Sequence, residues 1–282
     1  MESVKIISAT KTSGIYRMMK TFLQPYEKFA CQLMEFLNQK DKDVLAVVNE
    51  IGDDVLVCGI FYYSKGGLVL PFFIEKTSAV EQILREFFCE HPVFCVSGEK
   101  SSTDFIVGAV LSAKKQSEKE SREFDLMESH GTVRDISMEG YRFRSCTRDD
   151  SDFLYPLQVS YIKEEVLPDG MELNLPAERL AMDKILKTGK IYAVTDLDGK
   201  IVCKAQINGE TDSCVLVGGV FTAEPYRKKG LAAFIMENLK SLSAQKNKTC
   251  TLFVNHKNYA AAALYKKTSF KNFGTYRIVY MK

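Results

Sequence analysis

The sequence predicts an α/β (α+β) protein made of two copies of one fold. Three observations carry this. The chain has 282 residues, and at roughly 100–200 residues per domain that length accommodates two domains. Apolar runs of strand length alternate with segments of helical periodicity. The order helix, hairpin strands, helix, strand, short helix, strand occurs twice, with no evident sequence identity between the two occurrences. The division expected from this is residues 1–130 and 131–282.

Each element has a local reason. From residue 20 to residue 38, Phe22, Tyr26, Phe29, Leu33, Phe36 and Leu37 recur at three- and four-residue steps, which predicts one amphipathic helix. Strand-like runs cover 44–48, 55–63 and 68–74, and Gly52-Asp53-Asp54 and Lys65-Gly66-Gly67 punctuate them as hairpin turns. Thr77 and Ser78 are candidate caps for a helix reaching Cys89. A strand over 93–96 and a short helix over 101–111 complete the first copy. The polar, charged stretch 114–122 reads as a linker, followed by a strand-like 124–127. The second copy has a strand over 141–146, a helix over 147–166, a loop at Pro168-Asp169-Gly170 and a helix over 177–187. Strands over 191–195, 201–207 and 214–221 follow, with Asp198-Gly199 as a hairpin turn. A helix over 227–244, a strand over 249–254, a helix over 259–267 and a strand over 276–281 close the chain.

Composition narrows the class of function. With 46% hydrophobic and 26% charged residues the chain is an ordinary globular one. Lys plus Arg is 38 and Asp plus Glu is 36, a net charge of +2. That balance makes no electrostatic case for nucleic acid or a membrane, and neither is expected as a partner. No apolar run approaches the ~18 residues of a membrane-spanning helix. The N-terminus has no basic segment followed by an apolar core, so no secretory signal is read and a cytoplasmic location is expected. The eight cysteines form no CxxC pair and sit mostly in apolar runs, which points to reduced, packed thiols. The three histidines are far apart, and no metal site is expected.

The informative stretch is Gly218-Gly219-Val220-Phe221-Thr222-Ala223-Glu224-Pro225-Tyr226-Arg227-Lys228-Lys229-Gly230-Leu231-Ala232. An apolar strand enters a turn, and the turn opens a helix. Glycine there lets backbone approach a ligand, and the helix N-terminus offers unpaired N–H groups to an anion. Three cations placed in the first turn, where the macrodipole disfavours them, suggest a bound anion as compensation. The hexapeptide Arg-x-x-Gly-x-Ala alone matches by chance about 0.3 times in such a chain. The second stretch is more specific: Asn258, Ala261, Leu264, Tyr265, Lys267 and Phe270 stand at fixed spacing after a strand ending in Val254-Asn255. Chance agreement of the first five is on the order of 10⁻⁴ per chain.

Together these stretches resemble the acetyl-CoA-binding and last motifs of the GNAT superfamily of N-acetyltransferases, and Val220-Phe221-Thr222 resembles its glycine-acyltransferase-like branch. The resemblance covers residues 141–282. Gly140 to Cys146, Glu164-Glu165-Val166 and Lys204-Ala205 also resemble bacterial acetyltransferases that carry a degenerate GNAT-like N-terminal domain. The resemblance implies a tandem GNAT-like fold, each half a mixed, mostly antiparallel twisted sheet flanked by helices. It implies that the backbone of Val220, Phe221 and Thr222 bonds the pantetheine arm. Amides from Lys228 through Lys229, Gly230 and Leu231 to Ala232 would cradle the pyrophosphate, with Arg227 and the two lysines adding charge. Asn258, with Asn255 and Ala261 beside it, would bond the pantetheine from the other side. Tyr265 would protonate the leaving thiolate. The usual Gly before the final Phe is Ser269 here, which puts the left-handed cap of that helix in question.

The general base is the open role. That branch carries a glutamate where Leu216 stands, Glu224 lies in the cofactor turn, and Glu210 lies near a hairpin turn. Glu164 and Glu165 remain. A helical wheel with Phe153, Leu154, Leu157 and Tyr161 as the apolar stripe turns at least one of them inward, where burial raises a carboxylate toward the range of a base. Glu164 falls within the stripe and Glu165 at its edge, and resemblance to the Glu-Val pair of the bacterial group tips the choice to Glu165. The expectation is an acetyl-CoA-dependent enzyme acting on a small-molecule or protein amine, the alternative a CoA-binding module whose catalysis has lapsed. The oligomeric state is open, a homodimer included. The first copy has Glu75-Lys76-Thr77-Ser78 where the phosphate turn would stand, without glycine, and is expected to bind no CoA.

Overall fold

The computed structural model describes residues 2–8, 14–39, 43–113 and 116–282. The chain forms two compact units, Met1–Leu126 with Phe273–Lys282, and Met127–Asn272. The strands and helices, in order, are β1 (Glu2–Ser8), α1 (Gly14–Leu23), α2 (Cys31–Asn38), β2 (Val44–Ile51), β3 (Asp54–Tyr63), β4 (Leu68–Phe73), α3 (Ser78–Glu90), β5 (Cys95–Glu99), α4 (Lys100–Ser112) and β6 (Glu118–Ser129). There follow β7 (Tyr141–Ser145), α5 (Ser151–Tyr161), α6 (Leu175–Leu186), β8 (Ile191–Asp196), β9 (Ile201–Glu210), β10 (Cys214–Thr222), α7 (Leu231–Gln245), β11 (Thr249–Asn255), α8 (Tyr259–Lys267) and β12 (Lys271–Met281).

The pairing confirms the duplicated, mostly antiparallel architecture. In the first unit β1, β2, β3 and β4 pair antiparallel in order and β4 pairs β5 in parallel. In the second, β7, β8, β9 and β10 pair antiparallel in order and β10 pairs β11 in parallel. Period-two alternation divides each sheet between two helix layers. Along β2, Val47 packs under α3 and α4 with Leu84 and Ile106, while Ala46 and Val48 pack under α1 and α2 with Met19 and Leu33. In the second unit Leu231, Ile235 and Leu239 of α7 cover Val202 and Val215, and Leu154 and Met182 of α5 and α6 cover Ala193 and Ile201.

The structure departs from the sequence reading at four places. The helix expected over 20–38 is two helices, because Pro25 lies in a 3₁₀ turn at Gln24–Tyr26, where its missing N–H and its ring interrupt the helical ladder. The expected linker is mostly strand. Lys114 and Lys115 lie outside the described residues, but Glu118 to Arg122 belong to β6, where Arg277 of β12 donates to Glu118 at 3.0 Å and to Ser121 at 3.1 Å. Residues Phe273–Lys282, counted with the second copy in the sequence, pack in the first unit, where β12 runs antiparallel to β5. Strand β1 has no counterpart in the sequence reading; it pairs with β2 along its length.

All eight cysteines are thiols, seven of them buried. Among the described residues no helix is long and apolar enough to cross a membrane.

Candidate active site

The site lies in the second unit, where two neighbouring strands part. β10 and β11 pair only across Cys214–Leu216 and Thr249–Thr251, so the rest of β10 is released on that side. On its other side β10 carries a bulge against β9, with a register shift between Gly218 and Phe221. Gly219 takes φ +59° there, and a Cβ on Gly218 would stand 2.1 Å from Asn208 Nδ2. Gly219 is thus required for conformation, and a side chain at Gly218 would displace the Asn208 amide.

Past the strand, Pro225 lies in a 3₁₀ turn at Glu224–Tyr226, and α7 begins only at Leu231. This corrects the sequence reading. Arg227, Lys228 and Lys229 precede the helix and lie outside its first turn, so the dipole does not oppose them there. Lys228 takes φ +63° and Gly230, at the N-cap, φ +82°. Arg227 is held to the strand end, its Nε donating to the Thr222 carbonyl at 3.1 Å and its guanidinium 5.3 Å from the Phe221 ring centroid. Lys229 Nζ sits 4.9 Å from the Tyr226 ring centroid, and Tyr226 donates to Asp196 at 3.0 Å.

The start of α7 is left bare, as is that of α2. No side chain caps it and its first turn has no acid. Side chains of Thr77, Glu99, Asn174 and Asn258 cap α3, α4, α6 and α8. The first amides of α7 have no intrahelical acceptor, and Gly230 to Ala233 line a cavity of about 480 Å³. An anionic diphosphate suits this end.

The same cavity is lined by Val220, Phe221, Thr222, Arg227, Lys228, Ala261, Tyr265 and both Glu164 and Glu165. Most of the residues singled out in the sequence therefore meet in one place. Lys229, Asn255 and Asn258 do not line it. Asn255 accepts from the Lys257 amide at 2.8 Å and shapes the turn into α8. Asn258 caps α8, accepting from the Ala261 amide at 3.0 Å, and its Nδ2 donates to both Glu165 oxygens at 3.1 Å.

Tyr265 is buried to 7% exposure on α8, edge-on to the Phe270 ring at 5.8 Å. Burial, then the nearby Tyr161 and Glu165, raise its pKa above the usual phenol value. It stays protonated across the neutral range, the form a proton donor requires.

The inward-facing carboxylate is not found: Glu164 and Glu165 line the cavity mouth and both are exposed. The chain leaves the α-helix for a π-turn over Ile162–Val166, so a wheel of period 3.6 no longer applies. Glu164 pairs with Arg227 at 2.8 Å. Leu216, where the branch carries its glutamate, is buried and paired on both sides. Glu210 is bound by Lys246 at 2.9 Å and Lys248 at 2.8 Å.

Sequence reasoning named Lys204 only within a resemblance and gave it no role; it is 1% exposed beneath the bulge. The signal was present: a lysine inside the apolar strand Ile201-Val202-Cys203-Lys204-Ala205.

A splayed parallel pair, a bulged strand, an uncapped helix start and a buried tyrosine meet in one cleft of the second unit. Residues 154–270 match the model of the Acetyltransferase (GNAT) family. That match lies within the second unit and supports acyl-CoA-dependent N-acetyl transfer there. Its fold is similar to that of a Drosophila protein (TM-score 0.67, 10% identity, 98% of each chain covered). It is also similar to a tandem GNAT protein from the clavulanic acid biosynthesis pathway (TM-score 0.63, 8% identity, 99% of this chain and 98% of that one). A GNAT-family acetyltransferase from Colwellia psychrerythraea shares it too (TM-score 0.59, 10% identity, 99% of this chain and 100% of that one). No curated protein matches the chain.

Proposed function

We propose that the second unit transfers the acetyl group of acetyl-CoA to a primary amine by direct attack, with Tyr265 as general acid and Glu165 as general base. The observation that carries this is the single cavity joining Val220, Glu165, Tyr265 and the uncapped start of α7. In this reading the first amides of α7 hold the pyrophosphate, and Arg227 and Lys228 add charge. Val220 to Thr222 offer the released strand edge to the pantetheine amides, opposite Ala261.

The amine nitrogen attacks the thioester carbon, and the carbonyl oxygen takes the negative charge, facing the Val220 amide. The carbon–sulfur bond then breaks and the thiolate takes the Tyr265 proton. The ammonium proton goes to Glu165, whose two oxygens accept from Asn258. Exchange with solvent returns Glu165 and Tyr265 to their starting states.

The test is acetyl transfer to a panel of amines, with Tyr265→Phe as control. The variant should lose roughly 10²–10⁴ in kcat at nearly unchanged CoA affinity. An unchanged kcat removes Tyr265 from the mechanism. For the base, the pH–rate profile of Glu165→Gln is compared with that of Glu164→Gln. If neither loses the acidic limb, neither glutamate is the base.

A further inference from the structure

Lys204 Nζ donates to the Gly219 carbonyl at 3.0 Å. It lies 4.5 Å from the Tyr161 ring centroid, and it is not among the groups lining the cavity. A buried ammonium is costly, which asks what this one achieves. Its bond falls on the bulge. Gly218 stands opposite Gln206 and Phe221 opposite Lys204, so Gly219 and Val220 together face the single residue Ala205. The regular ladder does not fix the peptide between them.

That peptide is planar and trans, so its C=O and N–H point in opposite directions. Holding the Gly219 oxygen on the Lys204 side turns the Val220 N–H to the other side, and Val220 lines the cavity that also holds Tyr265. We propose that Lys204 is a positioning residue for acyl transfer: by holding the Gly219 carbonyl it aims the Val220 amide at the thioester oxygen and polarises that amide as a donor. A cation on the carbonyl draws electron density from the nitrogen, and hydrogen bonds in series strengthen one another at low dielectric. Lys204 touches no substrate in this scheme. The inference rests on the acetyl-transfer reading above.

Each element packed against the ammonium contributes a group. Cys203 is on its own strand, Cys146 follows β7, Glu178 is on α6, Tyr161 on α5 and the Gly219 carbonyl on β10. Desolvation lowers the lysine to about 8. Because the folded value is depressed, the ammonium is present below pH 8 and lost as pH rises through it. Tyr265 is shifted the opposite way and does not ionise there.

The experiment pairs two readouts on the full chain. The first is the pH dependence of kcat for wild type, Lys204→Met and Lys204→Arg, with acetyl-CoA and the best amine of the panel. Wild type should lose turnover through about pH 8. Lys204→Met should lose roughly 10- to 100-fold in kcat, less than outright removal of an oxyanion donor. Its KM for acetyl-CoA should stay within about two-fold and the alkaline limb should vanish, because no titrating group is left on the carbonyl. Lys204→Arg, charged throughout, should recover part of kcat and also lack the limb. A merely structural lysine would move stability and KM while leaving the limb in place. The second readout is the amide NMR shift of Val220 with CoA bound. It should titrate near pH 8 in wild type and be flat in Lys204→Met. Wild-type kcat in Lys204→Met overturns the proposal, as does a limb near pH 8 that survives there. So does a Val220 shift that ignores pH in wild type, a measurement needing neither a folded variant nor turnover. A wild-type protein that binds CoA and acetylates no amine sinks the acetyl-transfer reading instead, and the Val220 titration still decides whether Lys204 holds the peptide.

Discussion

Gly230 takes φ +82°, a conformation that costs an L-residue roughly 1–2 kcal/mol. A Cβ there would meet only Met138 Cε, at 3.9 Å, so conformation demands glycine and packing does not; in the proposed reading the approach of phosphate demands it too. Gly230→Glu adds a carboxylate at the uncapped start of α7. It should abolish CoA binding by calorimetry while costing only that strain in thermal stability. Retained affinity would place the pyrophosphate elsewhere. Ser269 sits at φ +67°, so a serine adopts the left-handed turn where the resembled motif has glycine. The doubt attached to that position concerned strain, and the chain accepts it: the Phe270 amide still bonds the Tyr265 carbonyl at 2.9 Å.

At the scale of elements, the π-turn after α5 decides what two adjacent glutamates do. Glu164 reaches the phosphate turn through Arg227, and Glu165 reaches α8 through Asn258. In the proposed reading, an incoming pyrophosphate competes with Glu164 for the same guanidinium. Exposed pairs of this kind are worth about 0.2–1 kcal/mol, so Glu164→Gln should tighten CoA binding by roughly 1.5- to 5-fold, and more at low salt. Weaker binding in that variant would mean that the carboxylate orients Arg227 for the ligand. The local segment reads as plain helix because Phe153, Leu154, Leu157 and Tyr161 keep a helical period. Phe153 is 69% exposed and Leu154 buried, so packing against α6 and the sheet follows a narrower stripe than the pattern suggests.

Across the whole chain, the two units share an order of pairing, and the proposed cofactor site belongs to the second. β4 and β5 pair in parallel only at Leu68–Val69 and Cys95–Val96, which repeats the parting of β10 and β11. In the first unit the end of the released strand is already used. The Phe73 amide donates to Ser102 of α4 at 3.0 Å, its ring meets Phe105 at 5.5 Å, and Thr77 caps α3. Calorimetry should therefore give one CoA per chain; two equivalent sites would contradict this account. The first unit also needs the last strand. Val279 and Met281 are buried in its core, at about 1.5–3 kcal/mol each, and β12 covers the edge of β5. Truncation after Asn272 should strip hydrogen-exchange protection from β5 and α4, since that loss is comparable with the 5–15 kcal/mol stability of a whole domain. Full protection in the truncated chain would show β12 to be dispensable.

Local pattern determined most of the elements and most of the site. Strand runs bounded by glycine turns, Thr77 and Asn258 as caps, and the Asn258–Phe270 spacing all express interactions within a few residues, which a single chain displays directly. The cofactor motif is contiguous for the same reason: one strand end and one helix start make it. Tertiary structure decided what depends on partners distant in sequence. The charged run 118–122 is held as strand by Arg277, more than 150 positions away, through an ion pair to Glu118 and a hydrogen bond to Ser121. The last ten residues joined the first unit because strand pairing is set by edge and core, which sequence order does not encode. Lys204 acquired its role from a bulge fifteen residues further on. The burial that shifts a lysine or tyrosine pKa is a property of the surrounding fold, and no residue carries it in its own sequence neighbourhood.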